Sequence, residues 1–173
     1  MCSAIFRRMT SSGHARARSR KCGGQEPWVI TMSEQTAMPV RAVVAGHGQF
    51  AVGIISAVEQ ITGRGAVFVP VSNAGLCLDD IQGAIARALD DTGAQVIFTD
   101  LPAGSCTMAV RRLVRERPGT VLVTGINLSL LLDFAMQDLP TDGDAQTALH
   151  MAVQTAVERG RASLAVYGLE VRT

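Results

Sequence analysis

His47 stands between two glycines in Gly46-His47-Gly48, directly after a short apolar run, and Asp100 closes another apolar run further along the chain. A neutral imidazole attacks through one ring nitrogen only when the other carries the proton. A carboxylate that accepts that N–H fixes the tautomer and steadies the positive charge that develops during attack. His47 and Asp100 supply both parts. A phosphoryl group transferred to such a nitrogen also needs donors for its oxygens. Gly104, Ser105 and Cys106 open what reads as a helix, where unsatisfied N–H groups and the helix dipole form an anion site, and Ser105 adds a hydroxyl. Gly46 and Gly48 leave space for a partner's backbone around the ring.

Each of these residues also has a plainer reading. A histidine at a strand end is often structural, Asp100 could cap a loop, and Ser105 could be an N-cap. Cys106 near a helix start is either a thiol of lowered pKa or core packing, and core is the simpler. His14 lies in a basic leader and His150 in a helix, and neither is assigned a role. Arg111, Arg112, Arg115 and Arg117 read as a solvated helix face, and Met136 with Leu130-Leu131-Leu132 as core or a subunit contact.

The elements that must position the pair follow from the apolar spacing. Val40 to Ala45 reads as a strand ending at Gly46-His47-Gly48, and Phe50, Ile54, Val58 and Ile61 then recur at helical spacing up to Gly63. Ala66 to Val71 is a second strand. Ile81, Ile85 and Leu89 mark a second helix, with Asp79 and Asp80 in its first turn, where the dipole favours acids. Gln95 to Thr99 is a third strand, and the loop after it leads into a third helix ending near Pro118. Thr120 to Thr124 is a fourth strand. Leu128 to Met136 and Asp144 to Glu158 read as helices, the latter with Leu149, Val153 and Val157 on one stripe. Ala162 to Tyr167 reads as a final short strand.

Apolar strands alternating with helices imply an α/β fold, an open, doubly wound, mainly parallel sheet covered on both faces. In such a sheet, ligands sit at the carboxyl ends of the strands where strand order reverses. With order 2-1-3-4 that point lies between strands one and three, which deliver His47 and Asp100. Adjacent strands lie about 4.8 Å apart, so the two side chains can meet.

Composition narrows the classes. With 173 residues, 47% of them hydrophobic, 18% charged and 4% aromatic, the chain suits one α/β domain. No run of about 18 uninterrupted apolar residues predicts a membrane span. No G-x-G-x-x-G or Walker A pattern marks a nucleotide site. Cys2, Cys22, Cys77 and Cys106 form no C-x-x-C pair, so neither a metal site nor a cofactor is called for, and reduced cytosolic thiols are the economical reading. Residues 1–37 carry six basic side chains against two acids, net +4, while the remainder is net −3. That leader reads as a disordered basic tail or an over-long start, with Met32 or Met38 as the true beginning, ahead of a domain over residues 38–173. An organelle transit peptide is the weaker alternative. Positive charge confined to a tail argues against a nucleic-acid binder.

Three segments in order resemble the enzyme IIA family of the mannose-type bacterial phosphoenolpyruvate-dependent sugar phosphotransferase system. They are Ala45-Gly46-His47-Gly48-Gln49-Phe50-Ala51, Phe98-Thr99-Asp100-Leu101-Pro102-Ala103-Gly104-Ser105 and Thr124-Gly125-Ile126-Asn127-Leu128. The resemblance spans about Val40 to Gly160. It implies a phosphohistidine carrier: phospho-HPr would phosphorylate His47, which would pass the group to an enzyme IIB serving membrane IIC and IID subunits. Asp100 would orient the histidine and Ser105 would lie at the phosphate. The resemblance further implies a cytoplasmic homodimer, with Ala162 to Tyr167 as a strand exchanged between subunits, and a IIB carried on a separate protein. The loop departs from the family's usual aspartate, large residue, Gly-Gly-Ser-Pro. Pro102, Ala103 and Cys106 replace the large residue, the first glycine and the proline, and Ser129 stands where proline is common. Two alternatives stay open: a regulatory phospho-acceptor not coupled to transport, and a non-catalytic small-molecule-binding module.

Overall fold

Four short runs rich in Val, Ile and Phe become the strands of one parallel sheet: β1 Ala42–Gly46, β2 Phe68–Ser72, β3 Val96–Thr99 and β4 Val121–Thr124, in the order β2-β1-β3-β4. The computed structural model describes residues 39–139 and 145–168, and the readings of residues 1–37, His14 included, lie outside them. The helices are α1 Phe50–Thr62, α2 Leu78–Thr92, α3 Ser105–Glu116, α4 Leu128–Met136 and α5 Ala145–Ala162. Pro70 has no N–H for a ladder, and it is tolerated because β2 pairs on one side, with β1.

Side chains alternate across a strand, so each strand feeds two cores. Ala42, Val44, Val96 and Phe98 point with Phe68 toward α1, α4 and α5, where Leu131, Phe134 and Ala156 meet them. Val43, Ala45 and Ile97 point the other way, onto Ile81, Ile85, Val110 and Leu113 of α2 and α3. Phe98 packs edge-on to Phe134 at 5.1 Å between ring centroids and to Phe68 at 6.2 Å. Burying each such ring contributes about 1.5–3 kcal/mol. Asn127 caps α4 by accepting from the Leu130 N–H at 2.9 Å, and donates to the Gly160 carbonyl of α5 at 2.8 Å.

Three details differ from the expectation. Gly65–Val67 coil as a 3-10 turn, so β2 begins at Phe68 and extends to Ser72. On α1 the inward stripe runs through Ala51, Ile54, Ile55 and Val58, which leaves Ile61 off the face and 60% exposed. At the carboxyl end α5 continues to Ala162, and Leu164 to Tyr167 form no strand within the chain itself.

The register sets up the site. Gly46 lies level with Ser72 on one side, and Ala45 with Thr99 on the other. Continued by one residue, His47 comes level with Asn73, and Gly46 with Asp100. The connections after β1 and β3 leave toward opposite faces, α1 to one and α3 to the other. A crevice opens between them at the switch point.

Candidate active site

The backbone N–H of His47 donates to Asp100 Oδ2 at 2.8 Å, and His47 Nδ1 lies 2.7 Å from the same oxygen. Asp100 Oδ1 accepts the N–H of Leu101 at 2.8 Å. An ionised carboxylate only accepts, so the ring proton sits on Nδ1 and the lone pair on Nε2. The Asp100 side chain is 8% exposed and that of His47 47%. Burial pushes the Asp100 carboxyl upward, but the hydrogen bonds from the His47 backbone and ring, the His47 charge and the Leu101 N–H outweigh it and hold the acid below its ordinary value. Asp100 is therefore a carboxylate at neutral pH.

Two glycines are required by close approach. A Cβ on Gly104 would stand 2.9 Å from His47 Cε1, so the start of α3 lies directly against the imidazole edge. A Cβ on Gly46 would stand 2.6 Å from Phe50 Cδ1 and 3.2 Å from Asp100 Oδ2. Gly104 is the N-cap of α3 and Ser105 its first residue. The first N–H groups of a helix lack intrahelical partners, so those of Ser105 and Cys106 are available to an anion beside the ring.

A buried hydroxyl pair shapes the loop between Asp100 and α3. Thr107 Oγ1 donates to the Leu101 carbonyl at 2.6 Å and lies 2.6 Å from Thr99 Oγ1. Thr107 has one hydrogen, so Thr99 must be the donor to it. Both residues are fully buried.

The structure brings His47, Asp100, Gly104 and Ser105 to one place. Cys106 is there through its backbone. Its side chain is buried among α2 and α3, and burial together with the Asp100 charge raises its thiol pKa, partly offset by the neighbouring Ser105 hydroxyl. The lowered-pKa reading of Cys106 thus gives way to core packing. His150 is exposed on α5, beside Gln146. Arg111, Arg112 and Arg115 are exposed, and Arg117 pairs with Asp90 at 2.6 Å.

Ser72 and Asn73 were not anticipated. Ser72 Oγ donates to the Gly48 carbonyl at 2.8 Å, while Asn73 Oδ1 accepts the Gly48 N–H at 3.3 Å and Asn73 Nδ2 donates to Ser105 Oγ at 3.0 Å. The available signal was a polar pair ending a strand that neighbours β1.

Fold and site together define an open parallel α/β domain with a histidine–carboxylate pair at its switch point. A family model described as "PTS system fructose IIA component" matches residues 41–158, and the chain belongs to that family, as a component of a sugar phosphotransferase system. Members of the family are phosphotransferases that work with other components of such systems. The fold is similar to that of the mannose/sorbose-specific IIA subunit of the phosphotransferase system from Enterococcus faecalis, with TM-score 0.62 and 17% identity over 79% of this chain and 100% of that one. It is also similar to the phosphotransferase system component EIIA from Streptococcus agalactiae, with TM-score 0.62 and 24% identity over 74% and 97%. A third similar structure is the IIA protein associated with the fucose utilization operon of Streptococcus pneumoniae, with TM-score 0.57 and 21% identity over 74% and 93%. No curated protein sequence matches the chain. Among the described residues no helix is long and apolar enough to cross a membrane, and no group of three or more His, Cys, Asp or Glu is placed to hold a metal ion.

Proposed function

We propose that the chain carries a phosphoryl group on His47 Nε2, taking it from phospho-HPr and passing it to an enzyme IIB for sugar uptake through membrane IIC and IID subunits. The observation that carries this reading is the shared Asp100 oxygen: by holding Nδ1–H at 2.7 Å it leaves Nε2 as the nucleophile, beside the start of α3. In the transfer the phosphorus–nitrogen bond of the donor breaks, its electron pair returns to the donor imidazole, and a bond from Nε2 to phosphorus forms. The proton on Nδ1 stays against Asp100, which offsets the positive charge gained by the ring. The N–H groups of Ser105 and Cys106 and the Ser105 hydroxyl meet the equatorial oxygens. Leu76 and Leu101, 40% and 53% exposed at the same end of the sheet, offer apolar surface to the docking protein.

The same reading places the chain in the cytoplasm as a homodimer. Among the described residues no strand lies beside the outer edge of β4, and a groove of about 330 Å³ along it is lined by Leu122, Val123, Leu130, Val157 and Leu164. Val166 and Tyr167 are exposed nearby in sequence, at 74% and 91%. An open edge beside an unpaired apolar segment suits pairing with a second copy.

One observation favours a second reading, in which phosphorylated His47 signals to another protein rather than feeding a transporter. Leu101, Pro102 and Ala103, the loop that departs from the family pattern, are all exposed beside His47. Incubation with phospho-HPr, then with IIB and its membrane subunits, decides between them. A label that is acid-labile and base-stable, and that moves on to IIB, supports the carrier. A label that enters and reaches no IIB supports the signal, and no label at all overturns both.

A further inference from the structure

The last residue of β2 and the residue after it grip the chain on both sides of His47. The Asn73 N–H donates to the Gly46 carbonyl at 3.2 Å, Asn73 Oδ1 accepts from the Gly48 N–H, and Ser72 Oγ donates to the Gly48 carbonyl. The same asparagine reaches across to the start of α3, where its Nδ2 lies 3.0 Å from Ser105 Oγ. Asp100 also spans the two loops, through the N–H groups of His47 and Leu101, while Asn73 joins the Gly48 backbone to the Ser105 hydroxyl.

The direction of these bonds is forced. A backbone N–H can only donate, so the atom facing Gly48 must be the amide oxygen, and the atom facing Ser105 must be the NH₂. An NH₂ group only donates, so Ser105 Oγ is the acceptor in that bond. The single hydrogen of the Ser105 hydroxyl is thereby directed away from Asn73 and toward another acceptor.

We infer that Asn73 is a positioning residue: it orients the Ser105 hydroxyl as a donor to the phosphoryl group arriving at His47 Nε2. The inference rests on the phosphoryl-carrier reading above and adds to it the group that sets the polarity of the serine. Asn73 itself touches neither Nε2 nor the phosphorus, and acts through Ser105. The dipole of its amide, oriented by the Gly48 N–H, also strengthens the hydroxyl as a donor, because successive hydrogen bonds polarise one another.

The test uses phosphoramidate, which phosphorylates imidazoles directly and needs no partner protein. Its phosphorus–nitrogen bond breaks with release of ammonia as the Nε2–phosphorus bond forms. The rate of labelling is followed by ³¹P NMR on the full chain and on Asn73→Ala, Asn73→Asp, Ser105→Ala and the Asn73→Ala/Ser105→Ala double variant. Loss of one oriented donor slows labelling about tenfold. Asn73→Ala and Ser105→Ala are each expected to show that loss, and the double variant no more than either alone. Asn73→Asp keeps the shape and the acceptor for Gly48 but has no N–H for Ser105. It also takes the serine hydrogen for itself, so it is expected to be at least as slow as Asn73→Ala. Independent losses that multiply to about hundredfold in the double variant, or an Asn73→Asp protein that labels like the wild type, would show that Asn73 merely holds the backbone, and would overturn the inference while leaving the carrier reading intact. Failure of the wild-type chain to take label at His47 from either phosphoramidate or phospho-HPr would overturn the carrier reading, and the inference with it.

Discussion

At the carboxyl ends of β1 and β3, His47 and Asp100 arrange their hydrogen bonds so that one atom, Nε2, is left with its lone pair uncommitted. At the amino end of the same sheet, Arg41 and Arg64 do the reverse. Arg41 donates to the carbonyls of Gln137, Phe134 and Ala135 at 2.6, 3.3 and 2.8 Å, and Arg64 donates to Ala135 at 3.2 Å and pairs with Asp138 at 3.4 Å. These carbonyls belong to the last turn of α4 and the residue after it, where no intrahelical N–H serves them. The Arg41 guanidinium also lies 5.3 Å from the Phe134 ring centroid. Burial and the Arg64 charge lower its pKa, with Asp138 opposing, yet a guanidinium stays charged. One end of the sheet uses charge to tie off a helix and stiffen the core. The other uses charge to hold the His47 ring in one tautomer and leaves that ring half exposed.

If that contrast is right, changes at the two ends separate rate from stability. The largest effect belongs to Asp100→Asn, which keeps the shape but removes the charge that offsets the ring. Labelling by phospho-HPr should slow by about 10²–10⁴-fold, with the melting transition retained. An unaltered rate would remove Asp100 from the mechanism. Next is Gly104→Ala. Its Cβ would press on His47 Cε1, and a displaced nucleophile costs up to about 10²-fold in rate, measured in the same labelling assay against circular dichroism for folding.

The opposite end should respond inversely. Arg41→Met removes the donor to the Phe134 and Gln137 carbonyls, leaving Ala135 to Arg64, and should cost about 2 kcal/mol in urea unfolding, with the labelling rate unchanged. A labelling defect as large as that of Asp100→Asn would mean that the two ends are coupled. The smallest effect is in pH. The Asp100 carboxyl is held below its ordinary value when folded, so the unfolded chain binds the proton first as pH falls. Its contribution to stability is present above the unfolded value of about 3.9 and is lost as pH drops through the folded one. Thermal melts from pH 5 downward should therefore show a shallower loss of stability in Asp100→Asn than in the wild type. Parallel slopes would contradict it.

The asymmetry also explains what was legible from the chain alone. His47, Asp100 and Ser105 each sit one or two residues past a strand end or at a helix start, so their place follows from the apolar pattern and the strand order. Asn73 does not stand out in the same way. Its role lies in hydrogen bonds to Gly48 and Ser105, distant in sequence and of ordinary residue types. Arg41 lies inside the run read as the first strand, and nothing in that run marks its role, because the helix end it serves comes more than ninety residues later. Ile61 fits the apolar spacing of α1 but not its face, since Ala51, small and easily passed over, is what is buried. The segment Ala162 to Tyr167 has strand-like composition, yet a strand needs a neighbour, and among the described residues it pairs with none.

The atom that is phosphorylated distinguishes a ring held by Asp100 from a free one most directly. Chain labelled with ¹⁵N in the histidine ring, phosphorylated by phospho-HPr and observed by ¹⁵N and ³¹P NMR, should show phosphorus coupled to Nε2 of His47, with Nδ1 still protonated and the signal absent in His47→Ala. Phosphorus on Nδ1, or on any other residue, would contradict the central claim that Asp100 reserves one nitrogen and leaves the other to react.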